Sequence, residues 1–240
     1  MSTFTEKLRD AFNEASLQID EESFPYFEVY KNTLMEWNNS INLTAIRDEE
    51  GIIYKHFVDS LMLLKAIDNF SSLLDIGSGA GFPGLPLKIA RKNIVLSLIE
   101  SQRKKTMFLE ILLEKLSFMD VKVYNVRAEE LGKSELRESF DVVTERELGK
   151  FPINVEIGLP FVKLGGYLAL YKGEKDLETI DIYKPLIEEL SGSVERIVPY
   201  KLNDGKTRYI ILIKKEWHTP SRYPRTYSAI LKSLKKWEKV

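Results

Sequence analysis

Apolar residues recur at helical spacing in three segments at the start of the chain. The pattern predicts amphipathic helices over residues 4–19 and 23–38 and a third helix after Asp48, a residue type that caps helix N-termini. In the second helix Phe27, Tyr30, Leu34 and Trp37 recur at helical spacing, which favours core packing over contact with a cofactor. We expect these helices to form an N-terminal lobe, residues 1–70, packed on the rest of the protein.

From residue 72 onward, short apolar runs alternate with helical segments. These runs predict strands at 72–77, 94–99, 120–126, 139–144, 166–172, 194–201 and 207–214. Alternating strands and helices imply right-handed crossovers and a mostly parallel, doubly wound α/β sheet. Asn203-Asp204-Gly205 lies between the last two runs and is a hairpin signal, so the sheet should end in an antiparallel pair. We take residues 71–215 as the core domain and 216–240 as a C-terminal extension.

The first predicted strand ends in a glycine-rich turn, LLDIGSGAGFPG at 73–84. Gly77, Gly79 and Gly81 lack a Cβ, so the backbone here can approach a nucleotide-like ligand closely. Two motifs overlap in this turn. GxGxxG, read from Gly79, fits a dinucleotide site, whereas DxGxGxG, read from Asp75, fits S-adenosylmethionine-dependent methyltransferases. The turn predicts a ligand site without deciding between the two.

Glu100 ends the second predicted strand, 19 residues after Gly81. This spacing places a carboxylate where it can accept hydrogen bonds from both hydroxyls of a ribose. The helix after the turn is expected to begin at Pro83, with its first amides facing the ligand. We therefore predict a bound adenosine moiety, with ordinary turn glycines and a solvated glutamate as the alternative. A seven-stranded sheet with an antiparallel terminal pair favours a Rossmann-like class I methyltransferase over a nicotinamide-binding domain.

The amino-acid composition excludes several kinds of catalytic and metal site. The 240-residue chain has no cysteine, which excludes disulfides, thiolate zinc sites and thiol nucleophiles. With only His56 and His218, a histidine-rich metal site is not expected. No apolar run reaches membrane-spanning length and the N-terminus lacks a signal-peptide core, so we expect a cytoplasmic protein.

Charge is distributed unevenly along the chain. The net charge is −1, but residues 217–240 carry six cations against Glu238 alone, which gives +5 and leaves −6 for the rest. Such asymmetry is typical of an RNA-binding extension, with a solubilising tail as the alternative. Three further cations, Arg103 to Lys105, begin a predicted helix and so oppose its dipole. RNA phosphate or pairing with nearby carboxylates would each account for them.

Polar residues also follow the third and fourth predicted strands. RAEE at 127–130 stands where a backbone amide and a carboxylate can bind adenine, although an acid-rich helix start explains it too. Arg146 ends the fourth strand beside the expected switch point of the sheet. It would contact cofactor or target base, or pair with an adjacent glutamate. His56 and Asp59 are three residues apart and could act as an acid–base pair. We favour the alternative that they form a hydrogen bond between the two lobes.

Together these motifs resemble the bacterial ribosomal RNA small subunit methyltransferase G family, also called glucose-inhibited division protein B. The matching segments run from about Trp37 to Lys214 and are WN at 37–38, NLT at 42–44, HxxDSL at 56–61, the glycine turn with its Phe-Pro-Gly, and RAEE at 127–130. The resemblance implies methyl transfer from S-adenosylmethionine to N7 of a guanine in the 530 loop of 16S ribosomal RNA. We expect a monomer that acts on this RNA or on the small ribosomal subunit.

The resemblance also implies roles for individual residues. The family's cofactor contacts fall on Gly77, Phe82, Ala128, Glu129 and Arg146, beside Glu100 at the ribose. Its Lys-Gly pair and a basic residue fall on Lys172-Gly173 and Arg208. Our RNA-binding candidates are Arg103, Lys104, Arg222, Tyr223 and Arg225. Two positions depart from the family pattern: TYS at 226–228 replaces Arg-Pro-Gly, and Glu145 precedes Arg146.

The implied reaction suits a chain with no cysteine and only two histidines. Guanine N7 has an in-plane lone pair and no proton, so its attack on a sulfonium methyl needs no general base. We therefore predict no indispensable acid–base residue, and our one catalytic candidate is Arg146, with no general base expected. The motif of exocyclic-amine methyltransferases, Asp/Asn-Pro-Pro-aromatic, is absent from the sequence, whereas ribose 2′-O transfer stays open. The competing functions are a non-catalytic rRNA-binding or assembly factor, an NAD-dependent oxidoreductase and a small-molecule methyltransferase.

Overall fold

A computed structural model describes the backbone of residues 2–237 and the side chains of residues 2–234. Its centre is a seven-stranded sheet. The strands are β1 (Ser72–Ile76), β2 (Val95–Ile99), β3 (Lys122–Tyr124), β4 (Phe140–Arg146), β5 (Val162–Lys172), β6 (Gly192–Lys201) and β7 (Thr207–Lys215). Their order in the sheet is β3-β2-β1-β4-β5-β7-β6. Only β7 runs against its neighbours, since its pairings with β5 and β6 are antiparallel and the other pairings are parallel.

The predicted fold class is confirmed, and each predicted strand is present with shifted bounds. The largest shifts are in β3, which is shorter than the predicted 120–126, and in β5, which begins four residues before the predicted 166. The antiparallel pair also has a placement that the sequence did not indicate. β7 lies between β5 and β6, so the hairpin folds back into the sheet instead of extending its edge.

Helices cover both faces of the sheet. In the described part of the chain they are α1 (Phe4–Glu14), α2 (Phe24–Asn38), α3 (Glu49–Ile52), α4 (Asp59–Leu61), α5 (Leu63–Ala66), α6 (Gly84–Ala90), α7 (Arg103–Leu116), α8 (Ala128–Leu131), α9 (Phe151–Gly158), α10 (Glu174–Leu177), α11 (Ile180–Glu189) and α12 (Tyr227–Trp237). None of the described helices is both long enough and apolar enough to cross a membrane. Successive strand residues such as Leu73 and Leu74 enter two different hydrophobic cores, because side chains alternate between the faces of a sheet.

The N-terminal lobe shares one of these cores with the sheet. Phe27, Tyr30 and Leu34 on α2 are fully buried, as their helical spacing predicted. The first helix ends at Glu14, short of the predicted residue 19, because Ser16 has a left-handed backbone with φ 52°. The third predicted helix contains a π-helical stretch, Ile53–Val58, between α3 and α4.

The described part of the C-terminal extension folds back onto the core. Arg137 donates hydrogen bonds to the backbone carbonyls of Thr219, Pro220 and Tyr223. Tyr223 is 4% exposed, and helix α12 packs against α9. Arg225 makes a two-pronged ion pair with Glu156 of α9, with Nε–Oε1 and Nη2–Oε2 distances of 2.7 and 2.5 Å. The tail is therefore held by interactions with the body of the protein.

The Arg225–Glu156 pair yields a stability prediction. The Glu156 side chain is 1% exposed, so Arg225→Ala leaves a buried carboxylate without its cation. We expect the free energy of unfolding to fall by about 3 kcal/mol, measured by urea denaturation. Arg222→Ala is the control, because Arg222 and Glu189 have side chains 62% and 44% exposed, and solvent screening should make its effect much smaller. Equal effects of the two substitutions would contradict a structural role specific to Arg225.

Candidate functional site

The glycine-rich turn follows β1 at the carboxyl edge of the sheet. Gly77, Gly79 and Gly81 have φ of 68°, 59° and 98°, a backbone region that favours glycine. The amides of Gly77 and Ser78 donate to the carbonyl of Ile99 at 2.8 and 3.1 Å, which ties the turn to β2. A Cβ added at Gly79 would project into open space, with only the Gly77 carbonyl oxygen nearby, at 3.9 Å. The turn thus presents bare backbone to a ligand at this position.

Asp75 supports the turn from behind. It is fully buried, its Oδ2 accepts from the Gly84 amide at 3.1 Å, and its Oδ1 accepts from the Thr144 hydroxyl at 2.9 Å. Burial raises the pKa of Asp75 to about 7, against the lowering effect of these hydrogen bonds. Helix α6 begins at Gly84, one residue later than predicted. Because its first amide donates to Asp75, the prediction that this amide faces a ligand is wrong.

Glu100 joins the turn to the segment after β2. Its Oε2 accepts from the Gly79 amide at 3.0 Å, and its Oε1 accepts from the Gln102 amide at 2.7 Å. The residue is 5% exposed. A carboxylate has about four acceptor positions and these two bonds use half of them, so Glu100 keeps capacity for two ribose hydroxyls.

Two cavities meet at the turn, and both border Gly77. The first cavity has a volume of about 110 Å³ and lies at the ends of the first three strands. Its lining is largely apolar, with a few polar groups: Ile76, Gly77, Ile99, Ser101, Val126, Arg127, Ala128, Glu129, Leu148, Ile153, Ile157 and Tyr227. A small, largely apolar space beside a carboxylate suits a purine ring.

The second cavity is larger, about 560 Å³, and lies between the turn and the N-terminal lobe. Its lining is more polar and includes three cations: Asn42, Leu43, Thr44, Ala45, Ile46, Arg47, His56, Gly77, Ser78, Gly79, Ala80, Phe82, Lys105, Arg146 and Glu147. The loop at 42–44 keeps its shape because the Asn38 side chain accepts from the Leu43 and Thr44 amides at 2.9 and 3.0 Å.

Arg146 ties β4 to the N-terminal lobe. Its Nη1 donates to Asp59 Oδ2 at 2.8 Å and to the Lys55 carbonyl at 3.1 Å. Its Nη2 lies 3.2 Å from Nδ1 of His56. A guanidinium only donates, so Nδ1 accepts and the imidazole proton is on Nε2, 2.8 Å from the Thr44 hydroxyl oxygen. The preferred interpretation of His56 and Asp59 as contacts between lobes agrees with this geometry.

The aromatic ring of Phe82 lies among these groups. It stacks on the His56 imidazole, with centroids 4.3 Å apart, and on the Tyr30 ring at 5.0 Å. Tyr30 in turn donates to the Ala80 carbonyl at 2.5 Å. The helical spacing of Tyr30 matches that of its core neighbours, so the sequence pattern indicates its burial but not its contact with the turn.

Glu145 does not pair with Arg146, because successive strand residues point to opposite faces. It is 1% exposed, and its Oε2 accepts from Asn154 of α9 at 2.6 Å. Its Oε1 has no hydrogen-bond partner among the described residues. Burial holds the pKa of Glu145 well above its usual range. Lys172 donates to the Oδ1 of the same Asn154 at 2.6 Å, so these three residues form a polar cluster behind the sheet.

The predicted cofactor residues converge on this region. Gly77, Ala128 and Glu129 border the first cavity, and Gly77, Gly79, Phe82 and Arg146 border the second. Glu100 contacts the turn directly, and Gly81 lies behind it, where an added Cβ would meet the Tyr30 hydroxyl at 2.7 Å.

The predicted RNA-binding residues are not brought together. Arg103 and Lys104 are exposed at the start of α7, and Arg103 pairs with Glu110 at 3.2 Å. In the tail, Arg222 and Tyr223 both contact Glu189, and Arg225 binds Glu156. Carboxylates of the body therefore offset these tail cations. Glu238 and Lys239 lie outside the described residues, as do the side chains of Lys235 and Lys236.

Two cations and one aromatic residue that border the cavities are not among the predicted site residues. Arg47 and Lys105 border the second cavity, and Tyr227 borders the first. Lys105 belongs to the cationic run whose first two members are predicted RNA contacts, and Tyr227 belongs to the segment that departs from the family pattern. Arg47 carries no local signal in the sequence.

The sheet order, the reversed β7 and the glycine turn facing Glu100 define the class of the protein. They form the Rossmann-like fold of class I S-adenosylmethionine-dependent methyltransferases, with paired cavities at the carboxyl ends of the strands. The chain belongs to the family described as rRNA small subunit methyltransferase G, or GidB, whose model matches residues 24–207.

Individual relatives agree with this assignment. A ribosomal RNA small subunit methyltransferase G of Clostridium botulinum (strain Loch Maree / Type A3) is 37% identical over 229 residues, which cover 94% of this chain and 96% of that protein. Its counterpart in Caldanaerobacter subterraneus subsp. tengcongensis is 41% identical over 222 residues, covering 90% and 92%.

Solved structures agree on the fold alone. The crystal structure of M. jannaschii TYW2 in complex with AdoMet has a TM-score of 0.51 at 16% identity, covering 65% of this chain and 76% of that one. P. horikoshii TYW2 in complex with MeSAdo has a TM-score of 0.53 at 15% identity, covering 66% and 61%.

The environment of His56 predicts how stability depends on pH. Burial, followed by the charge of Arg146, lowers the pKa of His56 to about 3, so the unfolded chain binds a proton more readily than the folded protein between pH 3 and 6.5. Stability contributed by neutral His56 is therefore lost as pH falls through this window. We expect the difference in unfolding free energy between wild type and His56→Gln to shrink by about 2 kcal/mol from pH 7 to 5, measured with urea. A difference that stays constant with pH would contradict this account.

Proposed function

We propose that this protein transfers a methyl group from S-adenosylmethionine to N7 of a guanine in the 530 loop of 16S ribosomal RNA. The observation that carries the proposal is the pair of cavities that share Gly77. One is small and largely apolar, and the other is larger and lined by three cations, so a cofactor and a nucleotide acceptor would meet at the glycine turn. Membership of a family named for rRNA small subunit methylation supports the substrate class.

The first cavity and its surroundings fit the cofactor. Gly77 and Gly79 would bring bare backbone to its side, and the free acceptor positions of Glu100 would receive the ribose hydroxyls. Ala128 and Glu129 border the purine end, where a backbone amide and a carboxylate suit the edge of adenine. When bound, the cofactor supplies a methyl group on a positively charged sulfur.

The second cavity would receive the target guanine. Enzymes that modify a base in folded RNA need it unstacked and held in a pocket. Both Arg146 and His56 border this cavity. Arg146 is bonded to Asp59 and to His56, and His56 is also bonded to Thr44, so neither is available as a general base. This fits attack by N7, whose lone pair needs no proton removed. Here Arg146 acts by positioning, and in-line placement of the two reactants carries the catalysis.

Two cations at the second cavity are suited to the RNA backbone. Arg47 hydrogen-bonds the Asn38 carbonyl and the Asn42 side chain at long distances, 3.5 and 3.3 Å. Neither Arg47 nor Lys105 has an ion-pair partner within the described part of the chain. Arg222 and Arg225 are paired with carboxylates of this chain, whereas Arg47 and Lys105 are left to bind an external anion. Phosphates on either side of the flipped guanine are the anions that this position predicts.

We propose that the protein acts in the cytoplasm as a monomer, on 16S ribosomal RNA free or within the small subunit. The family name supports the RNA substrate.

Methyl transfer to RNA tests the reaction itself. Purified protein is incubated with radiolabelled S-adenosylmethionine and either free 16S ribosomal RNA or small subunits, and the modified base is then mapped. We expect label at N7 of one guanine in the 530 loop. Label on an exocyclic amine or a ribose would overturn the proposed position. Cofactor binding without any transfer would support a non-catalytic RNA-binding factor.

Substitution of the free cations tests how RNA is held. We expect Arg47→Gln and Lys105→Gln each to raise the KM for RNA roughly tenfold and to reduce its dependence on salt, because each removes one phosphate contact. Affinity for adenosine should not change, since neither residue borders the first cavity. Lys184→Gln, an exposed cation of α11, is the matched control and should behave as wild type. Equal losses in all three variants would indicate only a general charge effect.

A further inference from the structure

The first residue of helix α12 borders the first cavity. Tyr227 lines it together with Ile99 and Val126 at the strand ends and with Ile153 and Ile157 of α9. The C-terminal segment therefore supplies one wall of a space that is otherwise built by the core domain. The role predicted for this segment from its charge is RNA binding.

Contacts upstream of Tyr227 fix its place. Arg225, two residues earlier, is clamped to the buried Glu156 through its amide, Nε and Nη2. Arg137 holds the carbonyls of Thr219, Pro220 and Tyr223. The approach to α12 is thus tied to the core at several points. Tyr227 is held at the cavity by these bonds and is not a side chain of a free tail.

Tyr227 also contacts the polar edge of the cavity through Arg127. The guanidinium carbon of Arg127 lies over the Tyr227 ring, 4.5 Å from its centre. Arg127 Nε donates to Glu129 Oε1 at 2.6 Å. The aromatic ring, the cation and the carboxylate form one chain of contacts along the cavity edge. The Glu129 side chain is only 10% exposed, so its orientation is set by this pairing.

We infer that Tyr227 is a cofactor-binding residue that forms the outer wall of the adenine site and, through Arg127, positions the Glu129 carboxylate. The inference rests on the proposed function, since it takes the first cavity as the adenosine site. Aromatic rings bind bases by stacking and contact, which tolerates the loss of a hydroxyl but not the loss of the ring.

Titration calorimetry with S-adenosylhomocysteine and with adenosine tests this role. We expect Tyr227→Ala to weaken both ligands by a similar factor, roughly tenfold, because the lost contact is with the purine that they share. Tyr227→Phe keeps the ring and should bind within about twofold of wild type. Tyr227→Leu keeps an apolar side chain at this position and should fall between the two. Arg127→Gln should weaken binding less than Tyr227→Ala.

Leu231→Ala is the matched control, because Leu231 lies one turn further along α12, is 41% exposed and does not border the cavity. It should leave both affinities unchanged. A loss of binding in Leu231→Ala equal to that in Tyr227→Ala would overturn the inference, since it would mean that any change in the helix acts through folding. Should Tyr227→Ala fail to fold, weaker binding by folded Tyr227→Leu would still support the inference.

The outcomes separate this inference from the proposed function. Wild-type protein that binds neither ligand would overturn both. Wild-type protein that binds S-adenosylhomocysteine, with Tyr227→Ala and Tyr227→Leu binding equally well, would overturn the role of Tyr227 alone. A selective loss for S-adenosylhomocysteine with adenosine unaffected would also overturn it, because the residue would then contact the other end of the ligand.

Discussion

Arg146 lies at the end of β4, under the N-terminal lobe, with a side chain only 9% exposed. A guanidinium buried to this extent costs several kcal/mol unless its donors and its charge are matched. Asp59, the Lys55 carbonyl and a neutral His56 supply that match, and all three come from the lobe. Asp59 also accepts from Tyr200 of β6 at 2.7 Å. The need to satisfy one buried cation therefore fixes how the lobe sits on the sheet and, with it, the shape of the second cavity.

The π-helical stretch fits the same constraint. His56 lies within Ile53–Val58, and Asp59 follows it directly. A π-helical turn changes the angular spacing of side chains relative to an α-helix, and such turns are frequent at functional sites. Here the segment presents the His56 ring to both Arg146 and Phe82, while the hydrophobic residues around it stay buried. The turn, the lobe and the strand end are held as one unit.

The sequence predicted the features that depend on local pattern. Strand runs, the glycine turn and the spacing from Gly81 to Glu100 lie within short stretches, and the structure brings Glu100 to the turn. The contacts of the tail were not predicted, because its partners are distant in sequence. Arg225 pairs with Glu156, 69 residues away, and Arg137 bonds the carbonyl of Tyr223, 86 residues away. Charge counting registers the cations of the tail but not the carboxylates that meet them. Arg47 was missed for the same reason, because only the folded structure shows that it borders the second cavity.

The chemistry of the second cavity follows from how its polar groups are used. The only lone pair of His56 faces an Arg146 donor, and burial with a neighbouring positive charge lowers its pKa to about 3, so protonation would require breaking that contact. Arg146 has no basic form at accessible pH. With His56 and Arg146 engaged with each other, this part of the cavity has little to offer a reaction that moves protons. The site is better suited to a reaction that needs two reactants held in line, because positioning can lower the activation barrier by up to about 7–11 kcal/mol. Among the acceptors that RNA presents, a ring nitrogen with a lone pair and no proton makes the least demand on such a site.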